Sequence, residues 1–481
     1  MRRAHAVAQV RDAEAALLAT LPAGALMQRA ATGLAVACAG RLGATYGARV
    51  VLLVGAGNNG ADALWAGAML ASRGAQVTAM LTGGVVPDAL AALRRAGGRV
   101  DEPGALDLAD LILDGLVGIG GRGPLRPAAA ALAVAGAHVV AVDLPSGVDA
   151  DTGAVAGAAV RAGLTVTFGT LKPGLVVGAG RAHAGTVHLV ELGLALPTPV
   201  VELLEAADVA RLLPVAGGAA DKYSRGVLGV VAGSHRYPGA AVLAVGAAVR
   251  AGAGMVRFAG APHPAEQVRA RWAETVVTEA SGARVVDAGR VQAWVVGPGL
   301  GTGPIAAAAV QAVLDQDVPV LVDADALTVC AQHPGWLEAR TAPTLLTPHD
   351  REFARFGHEV GTDRIGAARR LATELGVHVL LKGDATIVVG PAGPARVNGT
   401  GTPALATAGS GDVLSGGVGA LLAQGLGPLD AGSVGAFLHG RAGALSARGT
   451  TTSASLLLEA WPDAVREARG CEPADMKDLP T

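Results

Sequence analysis

Short apolar runs of strand length alternate with Ala-rich segments of helical length, and this alternation, which runs twice, most limits the folds open to the chain. Arg49–Gly55 (RVVLLVG), Gln76–Leu81, Leu111–Asp114 (LILD), His138–Leu144 (HVVAVDL) and Leu164–Phe168 read as strands, with Asp62–Arg73 as an intervening helix. Apolar runs separated by helices belong to parallel sheets covered on both faces. The pattern stalls at Leu194–Val200 (LALPTPV), whose two prolines continue neither element. Ala216–Ala220 is a second loose stretch. Alternation restarts at Val227–Val231 and continues through Ala293–Val296, Val318–Val322, Val377–Leu381 and Ala385–Val389. We expect two α/β domains, 1–200 and 201–470, with Glu202–Leu213 as the leading helix of the second. Residues 471–481 are expected to be a disordered tail. A chain of 481 residues also exceeds what one hydrophobic core usually serves.

Composition narrows the function. With 51% hydrophobic and only 3% aromatic residues, and 70 glycines, the apolar content is mostly small side chains, which suits this alternation. A formal net charge of −2 offers no field for nucleic acid or an anionic membrane, so a phosphate-bearing ligand must be held by local geometry. Cys38, Cys330 and Cys471 form no disulfide or metal spacing and read as reduced thiols of a cytoplasmic protein. Arg11, Asp12 and Glu14 interrupt any signal-peptide core. The uncharged run Val413–Leu429 contains five glycines and reads as a buried helix and turn rather than a membrane span. The small apolar surfaces permit a homo-oligomer, which we expect without specifying it.

Gly55-Ala56-Gly57-Asn58-Asn59-Gly60 satisfies G-x-G-x-x-G between a strand and a helix. A dinucleotide-binding Rossmann site also needs a carboxylate at the end of the next strand, about 20 residues on. That strand ends Met80-Leu81-Thr82-Gly83-Gly84, with no carboxylate until Asp88, which weakens an oxidoreductase reading. Asn58 and Asn59 can cap the helix or accept a left-handed backbone. Two more strand ends add to them: Asp114 leads into Gly115–Gly123, and Asp143 into Leu144-Pro145-Ser146-Gly147. Ligands of open α/β sheets bind at the carboxyl ends of strands. Amide, carboxylate and hydroxyl oxygens with little net charge suit a weakly bound cation.

This constellation, with Leu26–Ala30 before it and Lys172-Pro173-Gly174 after it, resembles the NAD(P)H-hydrate epimerase family over roughly residues 8–195. The resemblance implies that Asn59, Asp114 and Ser146 hold potassium. It further implies that Asn58, Asn59, Gly60, Ala61 and Asp62, then Gly118, Ile119, Gly120, Gly121, Arg122, Gly123 and Pro124, together with Asp143, contact a hydrated dinucleotide. Asp143 and Lys172 are the implied acid–base residues. Ala61 stands where the family usually has glycine, and its methyl group is expected to crowd a close phosphate approach.

In the second half, Asn398–Pro403 precedes Ala408-Gly409-Ser410-Gly411-Asp412 and a helix. Backbone N–H groups of a glycine turn at a helix N-terminus bind developing phosphoryl charge. Asp412 either caps its helix or deprotonates a hydroxyl for attack on a phosphoryl group. The turn resembles that of the ribokinase-like superfamily. Further motifs resemble its nucleotide-dependent NAD(P)H-hydrate dehydratase branch over about residues 207–460. They are Lys222–Gly226, Gly233-Ser234 with Pro238–Ala241, Arg250–Gly254, Gly297–Gly301, Asp323–Leu327, Leu346–Glu352 and Leu381–Thr386.

By that likeness Asp412 is the catalytic base and Gly411 part of its anion hole. Lys382, Gly383, Asp384, Ala385, Thr386, Asn398, Gly409, Ser410 and Gly411 would hold ADP or ATP with Mg2+. Ala253, Gly299, Leu300 and His349 would line the hydrate pocket. The implied chemistry phosphorylates the hydrate hydroxyl and then expels phosphate, a far better leaving group than hydroxide. The expectation is an α/β chain, a Rossmann-like domain followed by a ribokinase-like domain, that repairs hydrated NADH and NADPH. The alternative is a small-molecule kinase fused to a non-catalytic Rossmann-like binding domain.

Overall fold

The computed structural model describes residues 1–100, 105–215, 217–218 and 221–470. The expected tail 471–481, with Cys471, and part of the Ala216–Ala220 stretch lie outside the described residues. The chain divides into two compact units, one of Arg3–Val201 and the other of Met1–Arg2 with the residues from Glu202 on.

In the first unit, strands lie in the order Arg99–Val100, Gln76–Leu81, Arg49–Val54, Leu111–Gly115, Ala135–Val142, Arg161–Phe168, Thr186–Val190. Each described pair is parallel. Period-two alternation sends Val50, Leu52 and Val54 to one face, beside Leu34, Leu64 and Leu70 of helices Ala25–Leu42 and Asn58–Ala71. Val51 and Leu53 face the other way, with Ile112, Val139 and Ala141. Both faces are therefore dry, and each buried Val or Leu contributes roughly 1.5–3 kcal/mol over its exposed state. The strand order reverses between Arg49–Val54 and Leu111–Gly115, so the loops after these two strands part and leave a crevice.

In the second unit the order is Ala395–Val397, Ile387–Val389, His378–Leu381, Thr344–Leu346, Val320–Val322, Ala293–Val296, Val227–Val231, Met255–Gly260, Val276–Glu279. The pairs are parallel except those made by Ile387–Val389, which is antiparallel to both neighbours. The reversal falls between Val227–Val231 and Ala293–Val296. Helix Ser410–Ala423 covers this point, packed on helix Pro238–Arg250. A Cβ at Gly416 would fall 2.0 Å from the Ala244 carbonyl oxygen, so glycine there is what lets the two backbones meet.

Two local expectations shift and a third holds. The first glycine-loop helix begins at Asn58, not Asp62, so both asparagines belong to its first turn. Glu202–Leu213 is not one helix: Val201–Leu203 is a strand, and Glu205 precedes helix Ala206–Leu212. The uncharged run Val413–Leu429 is indeed helix and turn, continuing into helix Pro428–Ala447. Among the described residues, no helix is long and apolar enough to cross a membrane.

Candidate active sites

The crevice of the first unit gathers the strand ends singled out by sequence. Asp114 is fully buried, and its carboxylate accepts from the Ser146 N–H at 2.8 Å, the Ser146 hydroxyl at 2.6 Å and the Leu116 N–H at 3.3 Å. These donors are neutral, so burial pushes Asp114 up to about 6 even though the Ser146 and Leu116 hydrogen bonds oppose the shift. Asn59 Nδ2 donates to the Val142 carbonyl at 2.5 Å, and a Cβ on Gly118 would collide with Asn59 Oδ1. The Ser146 hydroxyl also lies 3.2 Å from the Val117 carbonyl oxygen. Among the described residues, no group of three His, Cys, Asp or Glu side chains could hold a metal ion. The donor set is instead amide, carbonyl, hydroxyl and a single buried carboxylate, which fits a monovalent cation.

Asp143 and Lys172 form a buried pair: Nζ donates to Oδ1 at 2.5 Å, and the side chains are 8% and 1% exposed, respectively. The lysine also donates to Thr167 Oγ1 at 3.1 Å and the Phe168 carbonyl at 3.0 Å. Asp143 accepts from the Thr167 hydroxyl and the Phe168 N–H. Its backbone is left-handed, with φ of 67°, and is held there by a 2.7 Å hydrogen bond from its N–H to the Val166 carbonyl. Such a conformation costs energy for a non-glycine residue and recurs where a side chain must be aimed. Asp62 is buried with one carboxyl oxygen unpartnered. Burial, with the Asp143 and Glu14 charges adding to it, raises its pKa well above the carboxylate range, so it can donate a proton.

The structure adds groups that the motifs did not reveal. Helix Val7–Leu18 is anchored by the Val7 N–H on Asp151 Oδ1 at 2.8 Å. It brings Arg11 Nη2 to 3.3 Å from where a Gly120 Cβ would stand. It also brings Glu14 to the Asp143–Lys172 pair, where burial chiefly raises its pKa, Asp143 adds to the rise, and Lys172 and Arg11 oppose it. The signal was the spacing Val7, Val10, Glu14, which puts a carboxylate on the buried side of a helix.

Ala61 does not crowd the loop. Its side chain is 1% exposed and packs in the apolar cluster with Leu34 and Leu64, away from solvent and loop. Ala61→Gly should therefore leave the epimerisation KM unchanged and lower unfolding stability by about 0.5–1 kcal/mol through helix propensity. Chemical denaturation alongside kinetics reads both.

In the second unit, Gly409 enters the turn with φ of 85° and helix Ser410–Ala423 follows. The Ser410 N–H bonds the Thr407 carbonyl and the Val413 N–H that of Gly409, which leaves the N–H groups of Gly411 and Asp412 at the helix start. Lys382 Nζ lies 3.8 Å from where a Gly411 Cβ would be, so a cation stands beside these donors. It bonds Asp323 Oδ1 at 2.9 Å and approaches Glu352 at 3.4 Å. Asp323 is itself buried and also accepts from the Thr347 and Ser415 hydroxyls, at 2.8 Å and 2.7 Å. Burial would raise Asp323, but Lys382 and these hydroxyls hold it below the usual carboxylate range. Asp412 has the opposite fate: burial first, then the Asp323 and Asp325 charges, push it up to about 7 although Lys382 opposes them. Two carboxylates with separated pKa values are the mark of an assigned base and an assigned anchor.

Other sequence-singled residues have definite places. Asp325 accepts from the Gly301 N–H at 2.8 Å and so fastens the Gly297–Gly301 loop. His349 caps helix Asp350–Phe353 by accepting at Nδ1 from the Arg351 and Glu352 N–H groups, while Nε2 of its half-exposed ring lies 3.5 Å from Glu352 Oε1. The Asn398 side chain is spent within the protein, donating to the Ala436 carbonyl of helix Pro428–Ala447 and accepting from Thr400. Ala253 is not brought to the site. It precedes strand Met255–Gly260, whose start pairs in parallel with Val227, whereas Gly299, Asp323 and Lys382 follow strand ends at the opposite edge of the sheet. The alanine beside Gly299 is Ala240: a Gly299 Cβ would lie 2.9 Å from the Cβ atoms of both Tyr237 and Ala240.

Residues 228–462 match the NAD(P)H-hydrate dehydratase family, and residues 23–174 match the family of the YjeF-related protein N-terminus. The bifunctional NAD(P)H-hydrate repair enzyme Nnr of Mycobacterium leprae (strain TN) is 52% identical over 415 residues, covering 83% of this chain and 85% of that protein. The protein of the same name from Corynebacterium glutamicum is 37% identical over 419 residues, covering 70% of this chain and 72% of that one. A ribokinase-like superfamily protein from Enterococcus faecalis V583 superposes with a TM-score of 0.51 at 24% identity, over 57% of this chain and 98% of that chain, a likeness of fold. The chain thus belongs to the family of bifunctional NAD(P)H-hydrate repair enzymes, in which an epimerase domain precedes a ribokinase-like dehydratase domain.

Proposed function

We propose that the crevice of Asp114, Asp143 and Lys172 epimerises hydrated NADH and NADPH, and that the Gly409–Asp412 turn dehydrates the S epimer at the expense of ADP or ATP. The observation that carries the second assignment is a half-buried Asp412 with a raised pKa at a helix start, with Lys382 beside it.

In the first unit, inverting the hydrated carbon requires its hydroxyl-bearing centre to open and reclose, with a proton leaving and returning. Lys172 Nζ donates to Asp143 Oδ1 at 2.5 Å, which sets a proton donor and a proton acceptor side by side, and the Thr167 hydroxyl holds the carboxylate in position. Asp62, whose pKa burial raises, adds a further carboxyl to the crevice. The Gly118–Pro124 loop offers backbone donors to the pyrophosphate. Potassium held by Asn59, Asp114 and Ser146 would neutralise the uncompensated Asp114 charge and fix the loop's ends.

In the second unit, Asp412 takes the proton of the hydrate hydroxyl as its oxygen attacks the terminal phosphoryl group, whose bond to the nucleotide breaks to release AMP from ADP or ADP from ATP. The Gly411 N–H and Lys382 Nζ receive the developing negative charge. Loss of phosphate and of a ring proton then restores the dihydronicotinamide double bond. Lys382–Thr386 and the Asn398–Gly411 stretch hold the nucleotide, and Mg2+ arrives with its phosphates. Gly299, Leu300, His349 and the Tyr237–Ala240 turn line the hydrate pocket. With its buried thiols free, the protein works in the cytoplasm.

A base with a pKa of about 7 fixes the sign of the pH dependence. The charged form does the chemistry, so dehydration kcat/KM should fall tenfold per pH unit below that value and level off above it. A rate flat from pH 5 to pH 8 under non-limiting nucleotide would remove Asp412 from the role of base.

A further inference from the structure

His439, on helix Pro428–Ala447, is used by none of the steps above, although it is buried directly behind the anion-binding turn. Its Nε2 lies 2.9 Å from the Ser410 carbonyl oxygen. A carbonyl can only accept, so Nε2 carries the proton and donates. Burial drives the pKa of His439 down to about 4, against the Ser410 hydrogen bond and helped by Lys382, which keeps the ring neutral at working pH.

The Ser410 carbonyl and the Gly411 N–H are two ends of one peptide group. A hydrogen bond received at the carbonyl draws electron density toward oxygen and leaves the N–H a stronger donor. Coupled hydrogen bonds in a low-dielectric setting strengthen one another in this way. We propose that His439 is a positioning residue that polarises the Ser410–Gly411 peptide and so strengthens the Gly411 N–H as a donor to the transferring phosphoryl group. The other anchors of Ser410, its N–H on the Thr407 carbonyl and its hydroxyl on the Leu405 carbonyl at 2.8 Å, leave this peptide's orientation fixed from both sides. Charge develops on the phosphoryl oxygens only in the transition state, so the effect belongs to kcat rather than to nucleotide binding. The inference rests on the reading of Gly411 as an anion-hole donor.

Two amide substitutions separate polarisation from mere packing. Gln places its amide nitrogen where histidine has Nε2, and Asn places its own near Nδ1, out of reach of the Ser410 oxygen. In the full chain with ADP, Mg2+ and the S hydrate, His439→Asn should lower dehydration kcat about tenfold, with both KM values within about twofold. His439→Gln should restore most of that loss. In the nitrogen–proton NMR spectrum, the Gly411 amide proton should move upfield in His439→Asn and return in His439→Gln. Equal kcat in both variants, or an unmoved Gly411 proton, overturns the proposal. So does a loss confined to KM. If instead Asp412→Asn proves fully active, the anion-hole reading falls whatever His439 does.

Discussion

Asp412→Asn should abolish dehydration, by about 10²–10⁴-fold in kcat for loss of a general base, while epimerisation proceeds at the normal rate. The substitution keeps the size and shape of the side chain and removes only its ability to take a proton. It also removes a half-buried carboxyl whose pKa is driven up to about 7, so the variant should fold at least as well as the parent at neutral pH and above. The sign follows from linkage. A carboxyl with a raised folded-state pKa disfavours folding as pH climbs above its unfolded value of about 4, where only the unfolded chain ionises, and the full penalty is present above about 7. A thermal melt at pH 8 with Tm equal to or above the parent's, together with undetectable return of dihydronicotinamide absorbance, is the expected pair of results. Equal loss of both activities in a well-folded variant would contradict the separation of the two sites.

The second large effect is expected of Asp143→Asn. Asparagine accepts the left-handed backbone found at this position, so the turn itself survives. What is lost is the carboxylate that faces Lys172 Nζ at 2.5 Å. The lysine then keeps only Thr167 Oγ1 and the Phe168 carbonyl as partners, and an uncompensated buried ammonium costs about 3–5 kcal/mol unless it sheds its proton. Epimerisation should fall by about 10²–10⁴-fold. Dehydration of S hydrate supplied as such should be unchanged. Lys172→Met in the same background removes the stranded charge: it should recover stability without recovering epimerisation, a combination that distinguishes lost chemistry from lost folding. Restoration of epimerisation in the double variant would exclude the pair from proton transfer.

How much of this was legible in the sequence depends on how locally each feature is encoded. Asp114 and Asp143 sit where strands end and Asp412 sits where a turn opens a helix, places where a short motif fixes both the backbone and the direction of the side chain. The apolar alternation marks the strands because they are buried on both faces. Long-range pairing left no such mark. The Asp323–Ser415 hydrogen bond joins residues 92 positions apart, and Lys382 meets Asp323 across 59 positions; no spacing rule announces either. His439 reaches Ser410 from another helix for the same reason. Ala253 was carried over from the family resemblance alone, and it stands where the chain enters strand Met255–Gly260, whereas the site lies where the strands end. Asn58 and Asn59 read as loop residues by type, yet they form the first turn of a helix, preceded by Gly57 without a side-chain cap.

The most direct test of the account supplies the full chain with both NADPH-hydrate epimers, potassium, Mg2+ and ADP, and follows absorbance at the dihydronicotinamide band. The account predicts complete recovery of both epimers, faster than they interconvert spontaneously. A halt at the fraction present as the S epimer, or no recovery with either ADP or ATP, would contradict it.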